Sequence, residues 1–375
     1  MALSVSLRTG VRILLMACAV AGSGQPALSA ATDVIVGLPA GIRVSFAYLT
    51  AGMELGYFED EGINPVLQSF QGGAVVMTQV ANKGVEIGLA SADPLIVASG
   101  NGTKSLPIRF FYNQTREYIW EWAVAPESSI KSFGDLRGKT IGVGSLANSH
   151  ISVTRLILKE AGLNDTDYEL IAVGDGGPAF KALLDGKIDA YNTARTNIAS
   201  YEAVGGAVRR LDVSDRFKGI FQTGFFAHED TLKENPELFS GFGRALTKGT
   251  IVCKNAPEWC IRTFWKYYPE HKPSGDVDAK EMNGIAKSVV SGWEPMFSFP
   301  QGSAGRFGEY PDGSWENVFN ILVEGGAIPA TLPDADSFYT NELVDGFNDF
   351  DETALLRKAA SLKSERGDRR RGSGG

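Results

Sequence analysis

Residues 130–150 read IKSFGDLRGKTIGVGSLANSH, and this order of residues predicts a strand that leads into a helix. Asp135–Lys139 supplies a turn, and Thr140–Val143 is a short, partly β-branched apolar run. Helical spacing begins at Ile151, after the small and polar turn Gly144–Ser149. Such a turn leaves backbone N–H groups free at the start of a helix, where anions and polar ligands bind.

The same order of strand, turn and helix recurs, and it predicts two α/β lobes with parallel sheets. Strands are expected at Asp33–Leu38, Asn64–Phe70 and Val85–Ala90, and the pattern restarts with strands at Trp120–Ala125, Tyr168–Val173 and Ile188–Tyr191. A strand at Phe221–Ala227 is expected to return to the first lobe. The predicted divisions are a signal peptide at 1–30, a first lobe with C-terminal helices at 31–116 and 222–362, a second lobe at 117–221, and a disordered tail at 363–375.

The N-terminus has the features of an export signal. Arg8 and Arg12 form a short basic region, and Val11–Val20 is an apolar run too short to span a bilayer. Small residues predict cleavage near Ala30, which would release the mature chain into the periplasm. A lipoprotein anchored through Cys18 is the alternative.

Composition indicates an ordinary globular protein of about two domains, because 43% of the 375 residues are hydrophobic and 21% are charged. The formal net charge of −8 argues against nucleic acid as a partner and against docking to anionic lipid. We expect a monomer.

Two cysteines, Cys253 and Cys260, remain after removal of the signal peptide, in a compartment where disulfides persist. A helix start at Asn255–Pro257 lies between them. Either a disulfide across this turn or two buried thiols would fit the pattern. No metal site is predicted, because no histidine or further cysteine is near.

Five segments stand in a specific order: Gly56–Ile63, Val85–Ser91, Ser132–Lys139 with Ile141–Val143, Leu184–Ala190, and Tyr339–Glu342 with Phe347–Asp351. Together they resemble periplasmic solute-binding proteins of ABC importers, of the taurine, nitrate, sulfonate and pyrimidine-precursor type. The resemblance implies a type II periplasmic binding fold, with two lobes joined by a hinge. It also implies a small polar or anionic solute (a sulfonate, nitrate or a pyrimidine-like compound), bound by cleft closure, and the permease subunits of an importer as membrane partners. No cofactor is expected.

Ligands of open parallel sheets lie beyond the carboxyl ends of the strands, beside helix N-termini. The predicted contacts are Ser45, Phe46, Gly72, Gly73, Ser91, Ala92 and Asp93 from the first lobe, and Asn148, Ser149, His150, Asn192 and Thr193 from the second. Some have a purely structural alternative. Gly72 and Gly73 would then form a tight turn, Asp93 would cap a helix, and His150 would be a loop residue.

The segment between the lobes is rich in aromatic residues. Regular alternation would place Tyr118, Trp120 and Trp122 on one face. Core packing is favoured for Trp122, whereas Trp120 could pack or could stack on a flat ligand. Arg116 could pair with an anionic group or form a surface salt bridge, and Trp293 is a candidate for the rim of the cleft.

The sequence favours a binding protein over an enzyme. Some relatives of the resembled family are pyrimidine-precursor synthases, which use a histidine and a cysteine-rich cluster with iron. His150, His228 and His271 show no metal-ligand spacing, and Gly142-Val-Gly144 lacks the third glycine of a dinucleotide fingerprint. A synthase-like enzyme and an accessory ligand-binding protein of a sensor remain the alternatives.

Overall fold

A computed structural model describes residues 31–100, 105–146, 148, 150–299, 305–330 and 334–369. The strands in this part are β1 (Thr32–Leu38), β2 (Ile63–Ser69), β3 (Ile87–Ser91), β4 (Ile108–Asn113), β5 (Trp120–Val124), β6 (Lys139–Val143), β7 (Tyr168–Ala172), β8 (Ala190–Ala194), β9 (Arg209–Leu211) and β10 (Thr223–His228). They form two five-stranded sheets, in the orders β2-β1-β3-β10-β4 and β7-β6-β8-β5-β9.

Helices cover the two sheets and form the C-terminal part of the chain. The α-helices in the described residues are α1 (Ala47–Glu54), α2 (Gly73–Ala81), α3 (Asp93–Gly100), α4 (Ile151–Glu160), α5 (Gly177–Leu184), α6 (Arg195–Ala203), α7 (Asp215–Lys218), α8 (Glu229–Glu234), α9 (Pro236–Asn255), α10 (Pro257–Tyr267), α11 (Ala279–Trp293), α12 (Ser314–Glu324), α13 (Val344–Phe347) and α14 (Glu352–Arg369).

The two α/β sheets confirm the predicted fold class, but each sheet is mixed rather than wholly parallel. In the first sheet β1 pairs in parallel with β2 and β3, whereas β10 runs antiparallel to β3 and β4. In the second sheet β5 runs antiparallel to β8 and β9. The antiparallel strands β5 and β10 are those that enter a sheet from the segments joining the lobes, so they start where the neighbouring strands end.

The two connections between the sheets cross side by side and are hydrogen-bonded to each other. The backbone N–H groups of Gln114 and Thr115 both donate to the carbonyl of Thr223, at 3.0 Å. The hydroxyls of Thr115 and Thr223 lie 2.8 Å apart, and the N–H of Gln222 donates to the carbonyl of Thr115. These bonds define a two-segment hinge. The predicted residue boundaries of the lobes remain a prediction.

The helices of the C-terminal part pack on the first sheet, and one of them also reaches the second lobe. Met282 and Trp293 of α11 belong to the same hydrophobic core as Val36 of β1. On its other side α11 contacts α6, which follows β8 of the second sheet. The hydroxyls of Ser288 and Ser200 lie 2.6 Å apart across this contact. Helix α11 therefore bridges the two lobes.

A disulfide joins Cys253 to Cys260, which decides between the two alternatives for these cysteines. The Cα atoms are 5.5 Å apart, and both side chains are buried. The bond closes the turn between α9 and α10.

The expectations for the two chain termini concern a signal peptide and a disordered tail, and the described residues cover only part of them. The predicted signal peptide and Cys18 lie outside the described residues. At the other end α14 continues to Arg369, well into the segment predicted to be disordered. No helix of the described residues combines the length and the apolar character that a membrane span needs.

Candidate functional site

A cavity of about 190 Å³ lies between the two sheets, at the ends of their strands. The first lobe contributes Pro39, directly after β1, and the turn that starts α2 at Gly73. The second lobe contributes Asn148 and Asp175, which follow β6 and β7. This is the position that the strand-turn-helix pattern predicts, because the carboxyl ends of parallel strands meet at one edge of a sheet.

Aromatic rings dominate the walls of the cavity. Phe46 and Tyr48 line it from the first lobe, Trp120 from β5 and Trp293 from α11. The indole N–H of Trp293 donates to the carbonyl of Ser45 at 2.8 Å, which fixes the ring beside the first-lobe loop. Burial raises the pKa of Tyr48, so this side chain stays neutral. The four rings together contribute flat apolar surface to the cavity.

The charged groups of the lining are few. Among the described residues that line the cavity, Arg43 is the single cation and Asp175 the single carboxylate. Asp175 accepts hydrogen bonds from the hydroxyl of Tyr191 at 3.3 Å and from the amide of Asn197 at 3.1 Å. The amide of Asn197 also donates to the hydroxyl of Thr193 at 2.8 Å. The remaining polar lining consists of hydroxyls and amides, which suit a ligand with hydrogen-bonding groups on its edge.

The structure brings eight of the predicted contact residues into the lining. Seven of the eight are Ser45, Phe46, Gly72, Gly73, Ser91, Trp120 and Asn148, and the eighth is Trp293, the candidate for the rim. Gly72 has a φ of 107°, which favours glycine, so its role as a turn and its position in the wall are compatible. Ser149 lies outside the described residues.

Other predicted residues are buried away from the cavity. Ala92 packs in the hydrophobic core, and Asp93 begins α3 with only 3% of its surface exposed. Burial raises the pKa of Asp93 to about 7. Asn192 is enclosed too, since its amide donates to the carbonyl of Glu121 and its oxygen accepts from the hydroxyl of Thr154. These side chains follow the correct strands but point into the protein.

Three further candidates contact the site indirectly or not at all. Thr193 accepts from Asn197, which itself lines the cavity. His150 is fully buried and stacks on Trp120 from behind. Arg116 donates to the carbonyls of Met296 and Arg306, and its guanidinium lies 4.5 Å from the ring centre of Phe299. Arg116 therefore holds the hinge against the 293–307 segment, and among the described residues it is not part of the surface salt bridge considered for it.

Several lining residues were missed by the sequence reasoning. Asp175 and Asn197 could have been found, since the turn after β7 and the start of α6 after β8 obey the same strand-turn-helix rule as the others. Gln114, Thr115 and Thr223 carry no such signal, because they become neighbours only when the two hinge segments cross.

A family assignment follows from residues 44–259, which match the NMT1/THI5-like family. The chain belongs to this family. The matched residues contain both hinge segments and most of the cavity lining. The resemblance to solute-binding proteins of the sulfonate and pyrimidine-precursor type is thereby confirmed.

Known relatives and solved structures match this chain at low sequence identity. The riboflavin-binding protein RibY of Chloroflexus aurantiacus is 22% identical over 330 residues, which cover 87% of this chain and 89% of RibY. The alkanesulfonate-binding protein SsuA of Xanthomonas axonopodis pv. citri, bound to MOPS, has a TM-score of 0.60 at 12% identity, covering 83% of this chain and all of SsuA. The desulfurization enzyme DSZB has a TM-score of 0.54 at 15% identity, covering 84% and 99% of the two chains. The fold therefore serves binding proteins and at least one enzyme.

Proposed function

We propose that this protein is an extracytoplasmic solute-binding protein that delivers a flat, heterocyclic solute to the permease subunits of an ABC importer. The observation that carries the proposal is the cavity wall of Phe46, Tyr48, Trp120 and Trp293. Aromatic rings contribute large apolar contact areas and favour stacked or edge-to-face partners. A planar ring system would use this surface in a way that a small inorganic anion would not.

The charges of the lining favour the pyrimidine-like end of the predicted solute range over nitrate or a sulfonate. A small anion gains most from several convergent cations or donors. Here Arg43 is accompanied by the carboxylate of Asp175, which would repel an anion. Asp175 and Asn197 can instead accept from and donate to the edge of a heterocycle. The relative RibY, named for riboflavin binding, lends support to the same class of solute.

Transport requires a closing motion, and the hinge supplies a means for it. Two crossing segments join the lobes, and the cavity lies directly beside them, lined by Gln114, Thr115 and Thr223. Rotation about these segments would open the cavity to solvent, and closure would surround the solute. A periplasmic location, cleavage near Ala30 and a monomeric state belong to this proposal.

Binding without turnover is part of the proposal, and the synthase-like alternative makes a different prediction. The functional groups at the cavity are hydroxyls, amides, one guanidinium and one carboxylate, which are suited to recognition. An enzyme of this family would convert its ligand, so mass spectrometry of the recovered ligand separates the two functions.

The experiment is a calorimetric titration of the purified mature chain with riboflavin, an aminopyrimidine, taurine and nitrate. Saturating ligand at a hundredfold excess over Kd should also stabilise the fold by about 2.7 kcal/mol. We expect a heterocyclic probe to bind and to be recovered unchanged. Trp120→Ala should weaken that binding by roughly 10- to 100-fold, as loss of ring stacking does elsewhere, and Trp120→Phe should largely preserve it. Tight binding of taurine or nitrate with no heterocycle bound would refute the proposed solute class.

A further inference from the structure

Trp120 has two faces with different surroundings. The indole is part of the cavity lining, and one of its faces is covered by the imidazole of His150, which leaves the opposite face free of this contact. The two ring centres are 3.4 Å apart, and the ring planes differ by 16°. The arrangement is a parallel stack in which only Trp120 reaches the cavity. A flat solute on the open side would extend the stack to three rings.

His150 is held by the backbone at the start of α4. The N–H of Thr154 donates to the carbonyl of His150 at 2.9 Å, and the hydroxyl of Thr154 lies 3.0 Å from the same oxygen. That hydroxyl is also 2.8 Å from the amide oxygen of Asn192 on β8. The backbone of His150 is therefore held at the start of α4, next to a residue that also contacts β8.

The chemistry of the imidazole matches a role in stacking. His150 is fully buried, and among the described residues neither ring nitrogen makes a hydrogen bond of good geometry, although the side chain of Asn192 lies close to the imidazole. Burial lowers the pKa of His150 to about 3, because a charged ring would be poorly solvated there. At neutral pH the ring presented to Trp120 is uncharged and aromatic.

We propose that His150 is a positioning residue, which holds the indole of Trp120 in the orientation that a flat solute needs for stacking. The inference rests on the proposed function, since it assumes a planar ligand on the open face of Trp120. An aliphatic side chain of similar size would fill the space behind the indole without fixing the plane of the ring. The preference for stacked geometry is specific to aromatic pairs.

The test compares His150→Phe, which keeps a ring, with His150→Leu, which keeps only apolar volume. Riboflavin and an aminopyrimidine serve as the probes. We expect His150→Phe to bind within about twofold of the wild type, and His150→Leu to bind about 2- to 12-fold more weakly, the range typical of a lost aromatic pair. Equal affinity of the two variants would overturn the proposal, because volume alone would then suffice.

A readout without ligand separates positioning from general packing. The near-ultraviolet circular dichroism of Trp120 is obtained as the difference between the wild type and Trp120→Phe. The same difference, measured in the His150→Leu background, should shrink, and in the His150→Phe background it should persist. An unchanged Trp120 signal in His150→Leu would overturn the proposal even if affinity fell. Failure of both probes to bind the wild type would refute the proposed function, and the dichroism comparison would then decide the role of His150 by itself.

Discussion

The contact between α11 and α6 should control closure of the cleft, and Gly292→Ala tests it. Gly292 and Thr196 both line the cavity and face each other from the two lobes. A Cβ atom at Gly292 would lie 1.9 Å from Cγ2 of Thr196. Carbon atoms pack at about 3.5 Å, so the helices would have to separate by about 1.6 Å or Thr196 would have to change its rotamer.

Overpacking of this kind costs about 1–3 kcal/mol. If solute binding requires the closed contact, the same free energy is lost from binding, and Kd should rise by about 5- to 150-fold. Alanine is the better helix former by about 1 kcal/mol, so weaker binding could not be attributed to a weakened α11.

Calorimetric titration with the heterocyclic probe that binds the wild type measures the effect. Gly177→Ala in α5 is the matched control, since a Cβ atom there meets nothing within 4 Å. Thr196→Ser removes the clashing methyl group, so Gly292→Ala combined with Thr196→Ser should recover most of the affinity. The reasoning is refuted if Gly292→Ala binds as tightly as Gly177→Ala, or if the double variant shows no recovery.

Two further predictions concern stability. Replacing Cys253 and Cys260 together by alanine should lower the free energy of unfolding by about 2.5 kcal/mol, the chain-entropy value for a loop of this length, as measured by urea denaturation; an unchanged denaturation midpoint would contradict it. The folded-state pKa of Asp93, about 7, lies above its usual value of 3.8. The contribution of this carboxyl to the free energy of unfolding is therefore present below pH 4 and is lost as the pH rises towards 7. The stability of the wild type relative to Asp93→Asn should therefore fall by on the order of 4 kcal/mol between pH 4 and pH 8, and a pH-independent difference would rule out burial of an ionisable carboxyl.

Local pattern predicted most strands of the fold well. The strands β1, β2, β6 and β7 match their predicted ranges within one or two residues, because β-branched and apolar runs ended by small turn residues are local signals. The strand predicted at Ile188–Tyr191 lies instead at Ala190–Ala194. Its position is set by pairing with β5 and β6. These partners are distant in sequence, so the residues near Ile188 do not predict the pairing.

The sequence predicted which loops form the candidate site more accurately than which side chains line it. Ser45, Gly73 and Asn148 line the cavity because the turns after strands converge there. Asp93 and Asn192 follow the right strands but point inward, because one residue of register decides which way a side chain faces. Arg116 is satisfied by carbonyls nearly 200 residues away, and no local pattern contains those partners.

The sequence by itself determined the alternation of strands and helices, the two-lobed α/β class and the spacing that allows the disulfide, since each depends on neighbours along the chain. Tertiary structure alone decided the mixed direction of the strands, the contact of α6 with α11 and the stack of His150 on Trp120. These features join residues that are distant in sequence, and their geometry depends on how the hinge segments cross. The aromatic wall that supports the proposed solute class is of this second kind.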